Sequence, residues 1–526
     1  MITSPAFSGQ TYAILGLARS GAATARALLA SGAQVSVWDR REEARTPFAQ
    51  TCQIADPLNL DLTGYDAVVV SPGVPLNTHP IVAHAAQFGV PVIGDIEVFA
   101  RARADLPRHK VVGVTGTNGK STTVSLIHHI LTHAGRASVL GGNIGEPILA
   151  QDPPAPGTSG EHAGEHAGGD VGADVGADMG VYVLELSSYQ IDLTTSLDCD
   201  IAGLTNLTPD HLDRYDGFAA YGAAKERLFA MQSPAHSALF ASDEGAAGAM
   251  LARVQAERRQ MGQGQAEQGP TGQQQTGQEQ VEQGQVEQGR AHYVDAEPYR
   301  ALQPHWPGLQ GPHNLANAAL AIAIVEQLGV SAAQWRAALP HFRALAHRME
   351  TVEVRDAIGH AIGDAGVTFV NDSKATNTDA SAPALAAFPP HAIAPDQPRI
   401  HWIVGGLAKD DGLGACAAHL GNVAAAYTIG EAGPRFAQWL DQAGVPVEPC
   451  ELLSEATTRA YAHARPGDVV LFSPACASFD QFRDYEQRGE HFRQLAKAVT
   501  GGEKGAVTDA LTQGADAPAQ WKDDAA

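Results

Sequence analysis

Between Gly116 and Thr122 the chain places a run of residues suited to holding phosphate: Gly116, Thr117, Asn118, Gly119, Lys120, Ser121 and Thr122. Glycines let backbone N–H groups approach phosphate oxygens, a lysine offsets their charge, and a serine or threonine hydroxyl can ligate Mg²⁺. The apolar residues Val111, Val112 and Val114 precede the run and predict the end of a buried strand. VSLIHHILTHAG follows it with helical spacing and stops at Gly135. A helix N-terminus placed there favours an anion. The general P-loop pattern puts a glycine six residues before the lysine, where this chain has Val114. The stretch therefore reads as a phosphate loop of unusual form ahead of an ordinary glycine-rich strand-to-helix turn.

Other residues could act beside it. Val181–Leu184 predicts a buried strand with Glu185 at its exit, a natural Mg²⁺ ligand near a phosphate loop. Ile201–Leu204 predicts another, running into TNLTPDHLD, where His211 stands among acids. Lys225, between an alanine and a glutamate in the helical stretch YGAAKERLF, reads as a solvated charge. Asn314 and Asn317 open the alanine-rich stretch AALAIAIVEQL, which predicts an amphipathic helix, and they can either cap it or touch a base or ribose.

These residues need α/β scaffolds to position them. TYAILGLARSGAATARALLASGAQVSVWDRR reads strand, glycine turn, helix, strand, with Asp39 at the second strand's end. This is a truncated dinucleotide fingerprint and predicts a Rossmann-like fold for some nucleotide. The strand Ala67–Val70 ends in Ser71-Pro72-Gly73, at the edge where open sheets place ligands, although Ser71 could equally cap the next helix. After about residue 341, three further strands end in NDSKATN, GGLAK and SPACAS, again predicting a parallel sheet with a ligand edge. Cys476 reads as a small buried residue rather than a nucleophile. The fold expected is α/β in three domains: residues 1–106, 107–340 and 341–500, with a flexible tail over 501–526. Repetitive Gly/Ala/Asp- and Gln/Glu/Gly-rich stretches at about 151–180 and 256–290 predict disordered insertions, so His162 and His166 in the first read as chance repeats rather than ligands.

Composition narrows the classes. A chain of 526 residues with net charge −23 argues against a general nucleic-acid binder, and 44% hydrophobic residues suffice for several cores. Five scattered cysteines without a CxxC pair fit a reducing compartment. No basic, apolar leader and no long apolar run appears, so a cytoplasmic protein without a membrane span is expected.

GTNGKST, ELSSYQ, TPDHLDRY, YGAAKERLF, GPHNLANAALA, NDSKATN and SPACASFDQFRDYEQRGEHF occur in this order. Together they resemble the Mur ligases, ATP-dependent amino-acid ligases of peptidoglycan synthesis, over about residues 10–500 apart from the insertions. GTNGK alone would also fit the related folylpolyglutamate synthases, and a non-catalytic nucleotide-binding regulator could share the scaffold. The last two motifs are most similar to the D-glutamate-adding members. The resemblance implies a Rossmann-like first domain for a UDP-sugar, a central P-loop-type ATPase domain and a Rossmann-like third domain for the amino acid. It implies ligation of D-glutamate to UDP-N-acetylmuramoyl-L-alanine through an acyl phosphate and a tetrahedral intermediate, giving ADP and phosphate, by a monomer with ATP and two Mg²⁺ ions. Ser20, Asp39, Arg40, Ser71 and Asn143 are then expected at the UDP-sugar. Lys120, Asn317, Arg348 and Asp372 are expected at ATP, and Lys374, Thr376, Lys409, Ser478 and Tyr485 at the amino acid. Ser121, Glu185, His211 and Lys225 are expected around the metal, with Lys225 carbamylated by CO₂.

Overall fold

The computed structural model describes residues 1–154, 179–211, 214–266, 290–343, 345–352, 366–390, 397–409 and 411–500. Most of the two low-complexity stretches, the tail from 501, His162, His166 and Asp213 lie outside the described residues. The chain divides into two compact units, Met1–Trp306 with Asn314–Phe342, and Pro307–His313 with the chain from Arg343 onward.

The first unit contains two parallel sheets. Strands β1 (Thr11–Leu15), β2 (Gln34–Trp38), β3 (Gln53–Ile54), β4 (Ala67–Val70) and β5 (Val92–Ile93) pair in the order β3-β2-β1-β4-β5. Strands β6 (His109–Thr115), β7 (Ser138–Gly142), β8 (Gly180–Glu185), β9 (Ile201–Leu204), β10 (Ser237–Phe240) and β11 (Ala291–Tyr293) pair in the order β11-β10-β9-β6-β8-β7. Parallel strands covered on both faces need near-continuous apolar runs, and β8, β9 and β10 are buried along their whole lengths. The order reverses beside β1 and beside β6, and such switch points open a crevice at the carboxyl ends of the strands.

The two sheets of this unit are joined by specific contacts. Phe99 meets Tyr182 edge to face at 4.9 Å between ring centres. The Gly94 amide donates to Leu193 O at 3.0 Å, and Glu97 accepts from the Thr195 and Ser196 amides at 2.8 and 3.0 Å. Glu97 also pairs with Arg101 at 3.0 Å, so its buried charge is satisfied from both sides.

The second unit holds β12 (Glu350–Val352), β13 (Thr368–Asn371), β14 (Ile400–Gly405), β15 (Val423–Ile429), β16 (Val447–Glu451) and β17 (Val469–Phe472), in the order β12-β13-β17-β14-β15-β16. Only β12 runs antiparallel to its neighbour. Alternate residues of β14 and β17 feed two cores, Trp402 and Leu471 on one face and Ile403 and Phe472 on the other.

Two local expectations change. The helix Pro312–Gln327 is not amphipathic: Ala318 through Val325 are all buried. Alanine blurs a polar face, and a helix apolar all round belongs in a core. The helix Gly245–Ala266 runs through the first part of the Gln/Glu/Gly-rich stretch before residues 267–289 leave the described set.

Candidate functional site

The phosphate loop sits where β6 ends, between the exits of β9 and β8. Gly116 and Gly119 adopt φ of 140° and 84°, which side chains rarely tolerate. A Cβ on Gly116 would collide with Thr205 Oγ1, and one on Gly119 with Asn317 Oδ1. The loop is thus squeezed between the β9 exit and the buried helix of Asn317, whose Nδ2 donates to Asn314 Oδ1 at 3.3 Å. The β9 exit also shapes it. The Asn118 amide donates to Asn206 Oδ1 at 2.9 Å, Asn206 Nδ2 donates to Asn118 O at 3.0 Å, and Thr117 Oγ1 donates to Thr208 O at 3.0 Å. The helix Lys120–His133 begins at Gly119 with no side-chain cap. Lys120 Nζ donates to Gly116 O and Thr117 O at 2.8 and 2.7 Å, which folds the ammonium back over the loop. Thr122 is half-buried on the first turn of the same helix.

Glu185 closes the other side. It is 1% exposed. Ser121 Oγ donates to its Oε2, and Asn143 Nδ2 donates to its Oε1 at 3.0 Å. Asn143, expected at the UDP-sugar, therefore lies on the carboxylate beside the phosphate loop. Its glycine loop also reaches toward the first sheet, because the Arg19 guanidinium donates to Gly145 O at 2.7 Å.

Lys225 is also 1% exposed, which overturns the reading of a solvated charge. Its helix, Gly217–Ala230, carries Tyr221 one turn earlier. Burial, then the nearby Lys120 ammonium, drives the Lys225 amine well below the usual lysine range, against the pull of Asp210, Asp192 and Glu185. His211 stands at the site's edge with φ 54°, its Nε2 3.5 Å from Asp210 Oδ2 and its ring edge-on to Tyr189 at 5.0 Å.

Among the described residues no group of three or more His, Cys, Asp or Glu gathers to hold a metal. The hard-oxygen set is smaller: the Ser121 hydroxyl and the Glu185 carboxylate. That suits Mg²⁺, which takes one or two protein carboxylates and completes its shell with phosphates and water. A lysine ammonium does not suit it, and a carbamate would.

At the first sheet's switch point, Ser71 Oγ donates to Gly16 O at 2.8 Å. It ties two strand exits together and does not cap the next helix, whose N-cap is Pro80. Asp39 accepts from the Leu17 and Arg41 amides at 2.7 and 3.0 Å. Burial works to raise its carboxyl, but these bonds and the Arg41 side chain outweigh it and hold it below the ordinary value. Arg40 is exposed on the same turn. Ser20 lies near Asp95, a residue sequence reading passed over. Asp95 is buried, and burial pushes its carboxyl up to about 6 against the pull of the Ile96 amide and the Gln190 and Ser20 side chains.

In the second unit, neighbouring strands β13, β17 and β14 send out the loops that carry the remaining candidates. Asp372 is buried, accepts from the Met349 amide at 3.1 Å and from Ser473 Oγ at 2.7 Å, and burial lifts it to about 7 against those bonds and Arg348. Lys374 Nζ donates to the Tyr485 hydroxyl at 2.9 Å. Thr376 is half-buried on the same loop, Ser478 is buried after β17, and Lys409 is exposed after β14. Leu407 and Ala477 exchange backbone bonds of 2.9 Å each way, joining the last two loops.

Sequence reading missed Tyr221, Arg41, Asp95 and Arg488. A signal existed for two of them. Tyr221 stands four residues before Lys225 and Arg488 three after Tyr485, spacings that share a helix face.

Residues 10–94 match the model described as the Mur ligase MurD-like N-terminal domain, residues 114–325 the Mur ligase middle domain, and residues 347–476 the Mur ligase glutamate ligase domain. The chain is 52% identical over 500 residues to a UDP-N-acetylmuramoylalanine--D-glutamate ligase of Novosphingobium aromaticivorans, covering 95% of this chain and 97% of that one. It is 49% identical over 503 residues to the protein of that name from Sphingopyxis alaskensis, and 46% over 512 residues to that of Zymomonas mobilis, each covering 95% of this chain and 100% of the relative. With models of one family laid along all three sheets, and relatives this similar over nearly their whole lengths, the chain belongs to the Mur ligase family.

Proposed function

We propose that this chain joins D-glutamate to UDP-N-acetylmuramoyl-L-alanine at the expense of ATP, in the cytoplasm and as a monomer, supplying peptidoglycan precursor for cell-wall growth, cell shape and division. The observation that carries the chemistry is the half-buried Lys120 together with the buried Ser121, Glu185 and Lys225 around one glycine loop. A carboxylate is inert toward an amine, so it must first be activated. A substrate carboxylate oxygen attacks the γ-phosphorus of ATP, the bond to the ADP oxygen breaks, and an acyl phosphate forms. The neutral D-glutamate amine then attacks the acyl carbon and loses a proton to solvent water. The tetrahedral adduct collapses as the carbon–oxygen bond to phosphate breaks. Such transfers rest on positioning and charge neutralisation.

Each residue then has a task. Gly116, Thr117, Asn118, Gly119 and Thr122 shape the loop around the phosphates, and Lys120 offsets their charge. Asn317 meets the base, Arg348 the γ-phosphate and Asp372 the ribose. Ser121, Glu185, His211 and a carbamylated Lys225 would hold Mg²⁺, as two ions. Bound there, Mg²⁺ supplies positive charge to the transferring phosphoryl oxygens. Residues 1–106, with Ser20, Asp39, Arg40, Ser71 and Asn143 from the next domain, hold the UDP-sugar. Residues 107–340 hold ATP. Residues 341–500 take the amino acid through Lys374, Thr376, Lys409, Ser478 and Tyr485, where cations and hydroxyl donors answer two carboxylates.

Phosphate release from ATP with UDP-N-acetylmuramoyl-L-alanine, assayed with D-glutamate, L-glutamate or a folate in turn, tests this. Release should require D-glutamate. Release that needs a folate, or that runs equally without any amino acid, would overturn the reading.

A further inference from the structure

The three second-unit loops that carry Lys374, Lys409 and Ser478 meet at one side chain. Arg488 lies on the helix Tyr485–Thr500 and is 1% exposed. Its NH2 donates to Ser373 O at 2.8 Å and Cys476 O at 3.0 Å, its Nε to Ser373 Oγ at 3.1 Å, and its NH1 to Ala477 O at 3.2 Å. Ser373 directly precedes Lys374, and Ala477 directly precedes Ser478. The Ala477 carbonyl also accepts from the Leu407 amide, which brings the Lys409 loop into the same node. The fit is close. Gly406 has φ 134°, and a Cβ there would stand 3.1 Å from Arg488 NH1 and 2.5 Å from Ala477 O. Ser373 Oγ passes the connection on, donating to Tyr485 O at 2.8 Å.

We infer that Arg488 is a positioning residue for the amino-acid site: its guanidinium fixes the spacing between the loop bearing Lys374 and Thr376 and the loop bearing Ser478. This rests on reading those loops as the site for D-glutamate. The chemistry explains why a cation is buried here. The strands β13, β17 and β14 are already held in register by their own ladders, so the guanidinium adds nothing to the sheet. It binds only groups beyond the strand ends. A planar fork with five N–H donors can grip two loops at once in one plane, while a lysine ammonium cannot. Burial lowers the Arg488 group to about 10, with Asp480 pulling the other way, so it stays charged at neutral pH and its bonds to carbonyls are charge-assisted.

The test is steady-state kinetics of the full chain with Arg488→Lys and Ser373→Ala, varying ATP, UDP-N-acetylmuramoyl-L-alanine and D-glutamate separately. Arg488→Lys should raise KM for D-glutamate about tenfold or more, the scale expected when binding groups are misplaced by a fraction of an ångström, with the other two KM values within about twofold. Ser373→Ala, which loses the hydroxyl's bonds to Arg488 Nε and Tyr485 O but leaves the guanidinium its three backbone carbonyls, should shift the same KM in the same direction by less. Unchanged KM for D-glutamate in both variants, or an equal rise for all three substrates, would overturn the inference. If Arg488→Lys does not fold, Ser373→Ala decides alone. Lys409→Ala and Ser478→Ala separate the two layers. If they too leave KM for D-glutamate unchanged, the site reading has failed; if they raise it while the Arg488 and Ser373 variants do not, only the positioning role has.

Discussion

The Lys225 ammonium lies 4.6 Å from the centre of the Tyr221 ring, and the Tyr221 hydroxyl donates to Thr117 Oγ1 of the phosphate loop at 3.3 Å. One aromatic side chain thus separates the buried amine from the loop. A lysine with its basicity lowered by burial and by Lys120 is more often neutral near pH 8. A neutral amine can attack CO₂, whereas an ammonium cannot. Lys225→Ala should lose about a hundredfold or more in kcat, the scale of removing one charge-positioning group at a reacting centre. Added bicarbonate should not restore it. In the wild type, ¹³C-bicarbonate should give a carbamate signal that Lys225→Ala lacks. Turnover at the wild-type level in the variant would sink the carbamate role.

Asp372 should make ATP affinity depend on pH. Its carboxyl is lifted to about 7 by burial, so it is mostly protonated at pH 6 and mostly ionised at pH 8. An ionised carboxylate accepts hydroxyl hydrogen bonds more strongly than a neutral acid. KM for ATP should fall as pH rises from 6 to 8. Asp372→Asn keeps the shape, accepts from Met349 through its oxygen and donates to Ser473, so it should fold. It should raise KM for ATP about tenfold, equivalent to roughly 1.4 kcal/mol, and flatten the pH profile beyond what ATP's own titration imposes. The same slope in wild type and variant would remove Asp372 from the nucleotide site.

Asp95 should limit stability at alkaline pH. Its folded value of about 6 lies above the ordinary 3.8, so between those values the folded chain holds a proton the unfolded chain has released. Stability contributed by this group is therefore greatest below pH 4 and declines as pH rises through 6. Two units correspond to roughly 3 kcal/mol as an upper figure. Asp95→Asn should raise Tm by several degrees at pH 8, with the gain vanishing near pH 4. Equal Tm values at pH 8 would show that the ionised carboxylate carries no such penalty.

The strand exits were legible because each ends an apolar run with a change of chemistry: Val114 into glycines, Leu184 into Glu185, Leu204 into Thr205. Lys225 was not legible from its own segment. Ala-Lys-Glu on a helix looks the same whether it faces water or a core, and only the packing of Tyr221 against the phosphate loop decides. The bond of Asn143 to Glu185 was not legible for a related reason. A glycine loop tells that the backbone turns sharply, not which of two neighbouring sites its side chains face, and here Glu185 takes the asparagine while Arg19 takes the backbone. Arg488 shares a helix face with Tyr485, but the partners it binds are mostly backbone carbonyls of other loops, which no residue type in the sequence announces.

The end of the helix Gly245–Ala266 sets where the Gln/Glu/Gly-rich stretch can be cut. Composition alone puts the boundary near residue 256, yet the helix continues and does structural work beyond it. Arg258 donates to His236 O and, at 2.7 Å, to Gln232 Oε1. Gln232 in turn donates to Cys199 O at 2.8 Å and Ser237 O at 3.0 Å, bracing the starts of β9 and β10. Replacing 267–289 with a short Gly/Ser linker should leave Tm and ligase activity close to wild type. Replacing 256–289 removes Arg258 and its charged hydrogen bonds, on the order of 1.5–3 kcal/mol, and should lower Tm by about 5 °C. Arg258→Ala in the full chain should reproduce most of that loss. Equal stability of the two deletions would place the boundary back at 256, and a loss of activity from the shorter one would give residues 267–289 a role that their composition does not suggest.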